Sequence, residues 1–174
     1  MAKGLIHVYT GDGKGKTTAA IGISVRAKSR GLRTMFVQFF KKNDRGGEIA
    51  LLQKIGIKTV VFDQVKSPFF NPDIDKGSIR QEAIKALCIL KEKLGRQDFD
   101  LIVLDEFICL ISEAILSEDE AVEFLGNKPS KLELILTGYG ATEKIIALAD
   151  YVTFMKNIKH PYDKKLHARR GIEF

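Results

Sequence analysis

The sequence predicts a three-layer α/β fold, a mostly parallel sheet of about six strands flanked by helices. Strand-like and helix-like stretches alternate from one end of the chain to the other, the pattern of a parallel sheet. Several strand candidates are near-continuous apolar runs, as strands covered on both faces require. A glycine-rich segment stands directly between the first strand and the first helix, where backbone N–H groups can face an anion.

In chain order, LIHVY (5–9) is the first strand, and a helix is expected from Lys16–Thr17 to near Gly31. TMFVQFF (34–40) is the second strand. A short helix follows from about Glu48 to Ile55, stopped by Gly56, and KTVVF (58–62) is the third strand. Both glycines stand where a helix C-cap favours them. From about Asp73 to Leu94, the residues Ile79, Ala83, Ala86, Leu87, Leu90 and Leu94 recur at helical spacing, so a long helix should cover the sheet. DLIVLD (100–105) is the fourth strand. The run Ser117-Glu118-Asp119-Glu120 matches a capping box, which gives these acids a helix-starting role and no chemistry. LELILT (132–137) and YVTFM (151–155) complete the six strands.

A chain of 174 residues can bury roughly 70% of its unfolded surface, so one domain spanning 1–174 is expected. The charged share of 29% and apolar share of 45% are those of a soluble globular chain. No run approaches the ~18 apolar residues of a membrane span. Met1-Ala2-Lys3-Gly4 leads into a strand with no secretory h-region, which predicts a cytoplasmic location. Cys88 and Cys109 form neither a C-x-x-C pair nor a zinc set, and both are expected as small buried hydrophobes. The net charge of +6 favours anionic partners but is spread along the chain, and a triphosphate satisfies it as well as nucleic acid does. No nucleic-acid or membrane partner is expected.

The segment TGDGKGKTT (10–18) nearly spells the phosphate-binding pattern G-x-x-x-x-G-K-[ST], with Thr10 where the pattern has its first glycine. Gly11, Gly13 and Gly15 let the backbone curl, with Asp12 and Lys14 between them. Lys16 can reach phosphate oxygens, the Thr17 hydroxyl can join the shell of Mg²⁺ or Mn²⁺, and Thr18 follows in the first turn. These parts make the expected fold phosphate-loop NTPase-like. LIVLDE (101–106) is the companion, an apolar strand ending in Asp105-Glu106 at the sheet's carboxyl edge, where one carboxylate can hold the metal. Hydrolysis or phosphoryl transfer would also need a group to orient the attacking oxygen; neither sequence nor spacing nominates one, and Glu106 and Gln38 are no more than possible candidates. His7 lies within a strand, while His160 and His167 lie in the basic run KNIKHPYDKKLHARR (156–170), a solvated face that also draws anions. On these residues alone, a phosphate-loop ATPase or nucleoside kinase stays open.

Across nearly its whole length the chain resembles the ATP:corrinoid adenosyltransferases of the phosphate-loop type. TGDGKGKTTAAIG is similar to that family's T-G-N-G-K-G-K-[ST]-T-A-A-x-G, and LIVLDE to its V-V-L-D-E. NKP (127–129), ILTGYG (135–140), LADYVTFM (148–155) and KHPYDKKLHARRGIEF (159–174) resemble its closing blocks, which phosphate-loop proteins at large do not share. The resemblance implies transfer of the 5′-deoxyadenosyl group of Mg-ATP to the cobalt(I) of a reduced corrinoid, cob(I)yrinic acid a,c-diamide or cob(I)alamin, with release of triphosphate. It further implies a homodimer and an electron-donating reductase such as a flavoprotein. By residue it implies that Gly11 to Thr18 line the triphosphate, that Lys16, Thr17 and Glu106 are catalytic, and that Thr17 and Glu106, with Asp105 possible, serve the metal. Arg26 would contact the nucleoside. A metal-centred nucleophile carries no proton, so the resemblance also accounts for the lack of a general base.

The chain departs from that family at two places. Its members carry an aromatic G-F-T-W stretch that crowds the lower axial face of the corrinoid, where this chain reads KSPFFNP (66–72) and has no tryptophan. Phe69 and Phe70 are the expected replacements. The family's T-G-R-G is here Thr137-Gly138-Tyr139-Gly140. A module that binds ATP and senses a corrinoid without transferring the adenosyl group is the rival such departures suggest.

Overall fold

The computed structural model describes residues 3–40, 47–68, 73–96 and 98–172. Six strands, β1 (Ile6–Thr10), β2 (Thr34–Phe39), β3 (Lys58–Phe62), β4 (Leu101–Asp105), β5 (Glu133–Thr137) and β6 (Tyr151–Phe154), pair in parallel in the order β3-β2-β4-β5-β1-β6. Every pairing is parallel, so all six carboxyl ends emerge along one edge. β5 is inserted between β1 and β4, with Leu134 opposite Ile6 on one side and Ile102 on the other.

Helices α1 (Lys16–Ser29) and α2 (Gly47–Lys54) cover one face. There Ala20, Ala27, Ile49 and Leu52 pack on Phe36, Leu101, Val103 and Ile135. The opposite face carries α3 (Lys76–Gly95), α4 (Phe107–Ser112), α5 (Glu118–Gly126) and α6 (Glu143–Leu148), around a larger core that includes Met35, Val37, Phe39, Leu104 and Leu136. Alternate residues of β2 thus enter opposite cores, and all six are buried. This is the three-layer arrangement the apolar strands predict.

Local signals act where expected. Gly31 (φ 81°) and Gly56 (φ 79°) close α1 and α2: each donates its N–H to the carbonyl three residues back, while the next residue reaches five back. The six apolar positions of α3 are its buried stripe. Asp75 caps that helix, accepting from the N–H groups of Gly77 and Ser78. Ser117 and Glu120 form the capping box of α5, and the Glu120 carboxylate also takes both guanidinium nitrogens of Arg80 at 3.0 and 2.7 Å, tying α3 to α5. That pairing holds the Glu120 carboxyl at about 2, well below the usual range.

One expectation is corrected. Cys109 is buried, but Cys88 is exposed, because it follows Leu87 by a 100° helical step that carries it off the apolar stripe of α3. Two helices, α4 and α6, were not marked by sequence signals; each is six residues long. Among the described residues no helix is long and apolar enough to cross a membrane. Phe69 and Phe70 lie outside the described residues.

Candidate active site

Three strand ends converge at the carboxyl edge. β1 leads into the glycine loop, β4 ends on Asp105, and β5 between them ends on Thr137. The Thr137 hydroxyl donates to Asp105 Oδ1 at 2.7 Å and accepts the Glu106 N–H at 2.9 Å. Two residues of the acidic end therefore hang on one side chain of the inserted strand.

The glycine loop wraps the end of α1. Gly11 (φ 105°) and Gly15 (φ 114°) occupy the left-handed region that favours glycine. At Gly11 and Gly13 a second constraint acts: a Cβ there would lie 2.4 and 2.7 Å from the Met155 carbonyl oxygen. The chain leaving β6 lies directly on the loop. The Gly13 N–H donates to the Met155 carbonyl at 2.7 Å, the Met155 N–H to the Thr10 carbonyl at 2.8 Å, and the Asn157 N–H to Asp12 Oδ1 at 3.0 Å. That last hydrogen bond holds the Asp12 carboxyl below its usual range.

Thr10 has its own place in this frame. It is buried, pairs with Phe154 as the last residue of β1, and its hydroxyl accepts the Ala141 N–H at 3.3 Å. A glycine would leave that N–H without the partner it has here.

Gly15 is the N-cap position of α1 and makes no side-chain cap, and the first turn contains no acid. The helix therefore presents its N-terminal N–H groups and positive dipole end without a competing carboxylate. Lys16 folds back over the loop, donating from Nζ to the carbonyls of Gly11 (2.7 Å) and Gly13 (2.8 Å). Thr17 is half-buried and Thr18 exposed in the same turn, and Lys14 is exposed on the loop.

Asp105 is fully buried and accepts from Thr137 on one oxygen and from Gln38 Nε2 at 3.3 Å on the other. Gln38 also reaches Glu48 Oε1 at 3.4 Å. Glu106 is less deeply buried, holds a left-handed φ of 63°, and accepts from the Cys109 thiol at 2.9 Å on Oε2. Burial pushes the Cys109 thiol far up, Glu106 adds to the effect, and the Lys16 charge opposes it. Loop and acidic end belong to one site, because β5 lies between β1 and β4 and the Gly138 N–H just past its end reaches the Tyr9 carbonyl at 3.2 Å.

The donors suit a small hard cation. A Thr17 hydroxyl with one or two carboxylates matches Mg²⁺, which keeps several waters and takes its remaining oxygens from phosphate. Among the described residues no group of three His, Cys, Asp or Glu is arranged to cage a metal. Both acids accept from neutral donors, Asp105 from Thr137 and Gln38, and Glu106 from the Cys109 thiol.

Arg26 stands apart from the loop. It lies in the last turn of α1, about 15 Å along the axis from Lys16 at 1.5 Å per residue, and its charge acts on the Tyr9 hydroxyl. Of the residues that build the site, Thr137, Ala141, Met155 and Asn157 escape sequence reasoning, because their parts are played by backbone or by a single hydroxyl.

The family profile described as ATP:corrinoid adenosyltransferase BtuR/CobO/CobP matches residues 2–174. The chain is 33% identical to the corrinoid adenosyltransferase of Escherichia coli (strain K12), over 99% of this chain and 86% of the relative. It is 33% identical to corrinoid adenosyltransferase CobA of Salmonella typhimurium over the same shares. A Sinorhizobium corrinoid adenosyltransferase is 35% identical, over 99% of this chain and 81% of its own length.

Proposed function

Since the chain belongs to the ATP:corrinoid adenosyltransferase family and is an enzyme of that kind, moving an adenosyl group from ATP to a corrinoid, we propose that the loop of residues 10–18 grips the leaving triphosphate of Mg-ATP. The observation that carries this reading is the strand order β4-β5-β1, which sets the acidic end of β4 and the phosphate loop after β1 on either side of β5, with Thr137 bonded to both acids and the Gly138 N–H reaching the Tyr9 carbonyl.

In this reading the cobalt(I) of the reduced corrinoid, cob(I)yrinic acid a,c-diamide or cob(I)alamin, supplies an electron pair to the 5′ carbon of ATP. The C5′–O bond breaks, and the triphosphate leaves with that bond's pair. Lys16 and the N–H groups at the start of α1 stabilise the charge that builds on it, a preorganised electrostatic contribution. Lys16 exchanges the carbonyls of Gly11 and Gly13 for phosphate oxygens. Thr17 and Glu106 hold Mg²⁺, which when bound offsets charge on the phosphate oxygens. No residue need accept a proton.

Several finer points belong to the same proposal. The whole of 1–174 acts as one cytoplasmic adenosyltransferase domain, and the cobalt is reduced by electrons from a flavoprotein-type reductase. Arg26, with Tyr9 beside it, contacts the nucleoside. Phe69 and Phe70 are assigned a role in corrinoid reduction, so replacing both with alanine should slow reduction of cobalt(II) while ATP binding is retained; unchanged reduction would remove that role. A homodimer is supported by the outer strand β6, where Tyr151, Val152 and Phe154 are all exposed, Phe154 at 67%.

Incubation with Mg-ATP and chemically reduced cob(I)alamin tests the proposal. Adenosylcobalamin and intact triphosphate are expected in equal amounts. Release of ADP or phosphate instead would mark an ATPase or kinase, and nucleotide binding without product would mark a sensing module.

A further inference from the structure

We infer that Cys109 is a positioning residue, its buried thiol holding the Glu106 carboxylate toward the metal–triphosphate end of bound nucleotide. This rests on the reading above that Glu106 serves the metal.

The geometry is specific. Cys109 is 3% exposed, and its Sγ donates to Glu106 Oε2 at 2.9 Å across the first turn of α4. Glu106 stands just before that helix in the left-handed region, a conformation that is strained for a non-glycine residue and persists where its surroundings impose it. The Glu106 N–H to Thr137 Oγ1 and the Cys109 N–H to the Glu106 carbonyl at 3.1 Å anchor the main chain, and the thiol holds the side chain. The chain at β5's end leaves room for that sulfur. A Cβ at Gly138, which has φ 138°, would lie 3.0 Å from Sγ and 2.9 Å from the Cys109 nitrogen. The rest of α4 from Phe107 to Ile111 is buried and apolar, so this sulfur is the helix's polar contact with the acidic end.

The test compares Cys109→Val, which replaces the donor with methyl groups, with Cys109→Ser, which keeps a donor, and with Glu106→Gln. Binding of Mn²⁺ to the enzyme–ATP complex is read by electron paramagnetic resonance, alongside KM and kcat for Mg-ATP and corrinoid. With Cys109→Val, Mn²⁺ binding should weaken about tenfold, the low end for residues that orient a metal ligand. The Mg-ATP KM should rise with it and the corrinoid KM stay unchanged, while Cys109→Ser remains near wild type. Should Ser weaken the metal as much as Val, the residue acts by packing and the inference fails. It fails equally if Val binds Mn²⁺ like wild type while Glu106→Gln does not. Wild-type Mn²⁺ binding in Glu106→Gln would instead overturn the metal assignment itself.

Discussion

Thr10 shows how one residue can look like a defect in a motif and be a fixture of the fold. Its hydroxyl takes the Ala141 N–H and so joins the strand that enters the loop to the turn beyond β5. Thr10→Gly should lower stability by about 1–2 kcal/mol, the sum of a lost hydrogen bond and a freer backbone. For a chain of this size that is roughly a 3–6 °C drop in Tm, read by circular dichroism. Gly13→Ala should cost about 1–3 kcal/mol through overpacking, because the new Cβ meets the backbone of Met155 and Lys156 at 2.7 and 2.9 Å. Calorimetry should show ATP affinity falling in the same variant. Lys16→Ala should leave Tm near wild type and reduce kcat/KM for ATP by about 10²–10³, the usual effect of deleting one preorganised donor. The glycine pattern, Lys16 and Asp105-Glu106 were legible in the sequence, since each is a residue type at a fixed spacing. Met155 was not, because its carbonyl does the work and any residue has one.

Among the elements, the six strands and the four helices with caps or apolar stripes could be read directly, while α4 and α6 could not. In α4 the run Phe107-Ile108-Cys109-Leu110-Ile111 is buried throughout, so no amphipathic period distinguishes it from a strand. α6 is too short for a period to register, although Thr142 caps it by accepting the Ile145 N–H. The capping box of α5 was legible, but its link to Arg80 on α3 joins residues far apart in the chain. Stability should carry that link's signature in acid. Glu120 titrates at about 2 in the folded chain against ~4.3 unfolded, so its contribution is full above pH ~4.5 and is lost as pH falls toward 2. Arg80→Met should be less stable than wild type at pH 7, by a margin that the pair's solvent exposure keeps small. Thermal melts from pH 7 to pH 3 should show this gap narrowing below pH 4.5; a constant gap would assign Arg80's contribution to packing alone.

For the molecule as a whole, inserting β5 between the loop strand and the acidic strand is what assembles the site. It separates β1 from β4 and supplies Thr137, which orders both acids, and Gly138, whose N–H reaches the Tyr9 carbonyl. Alternating strands and helices announced the layers, but strand order depends on long-range pairing that no local pattern encodes. The edge so built brings together a lysine, a helix end and a metal-suited carboxylate. The central claim is therefore about which bond of ATP breaks. ATP carrying ¹⁸O at the oxygen that bridges C5′ and the α-phosphorus tests it directly, with reduced cob(I)alamin as the acceptor. Cleavage at C5′ predicts that the label leaves in free triphosphate as adenosylcobalamin forms. Label retained in ADP, with no adenosylated corrinoid, would contradict it.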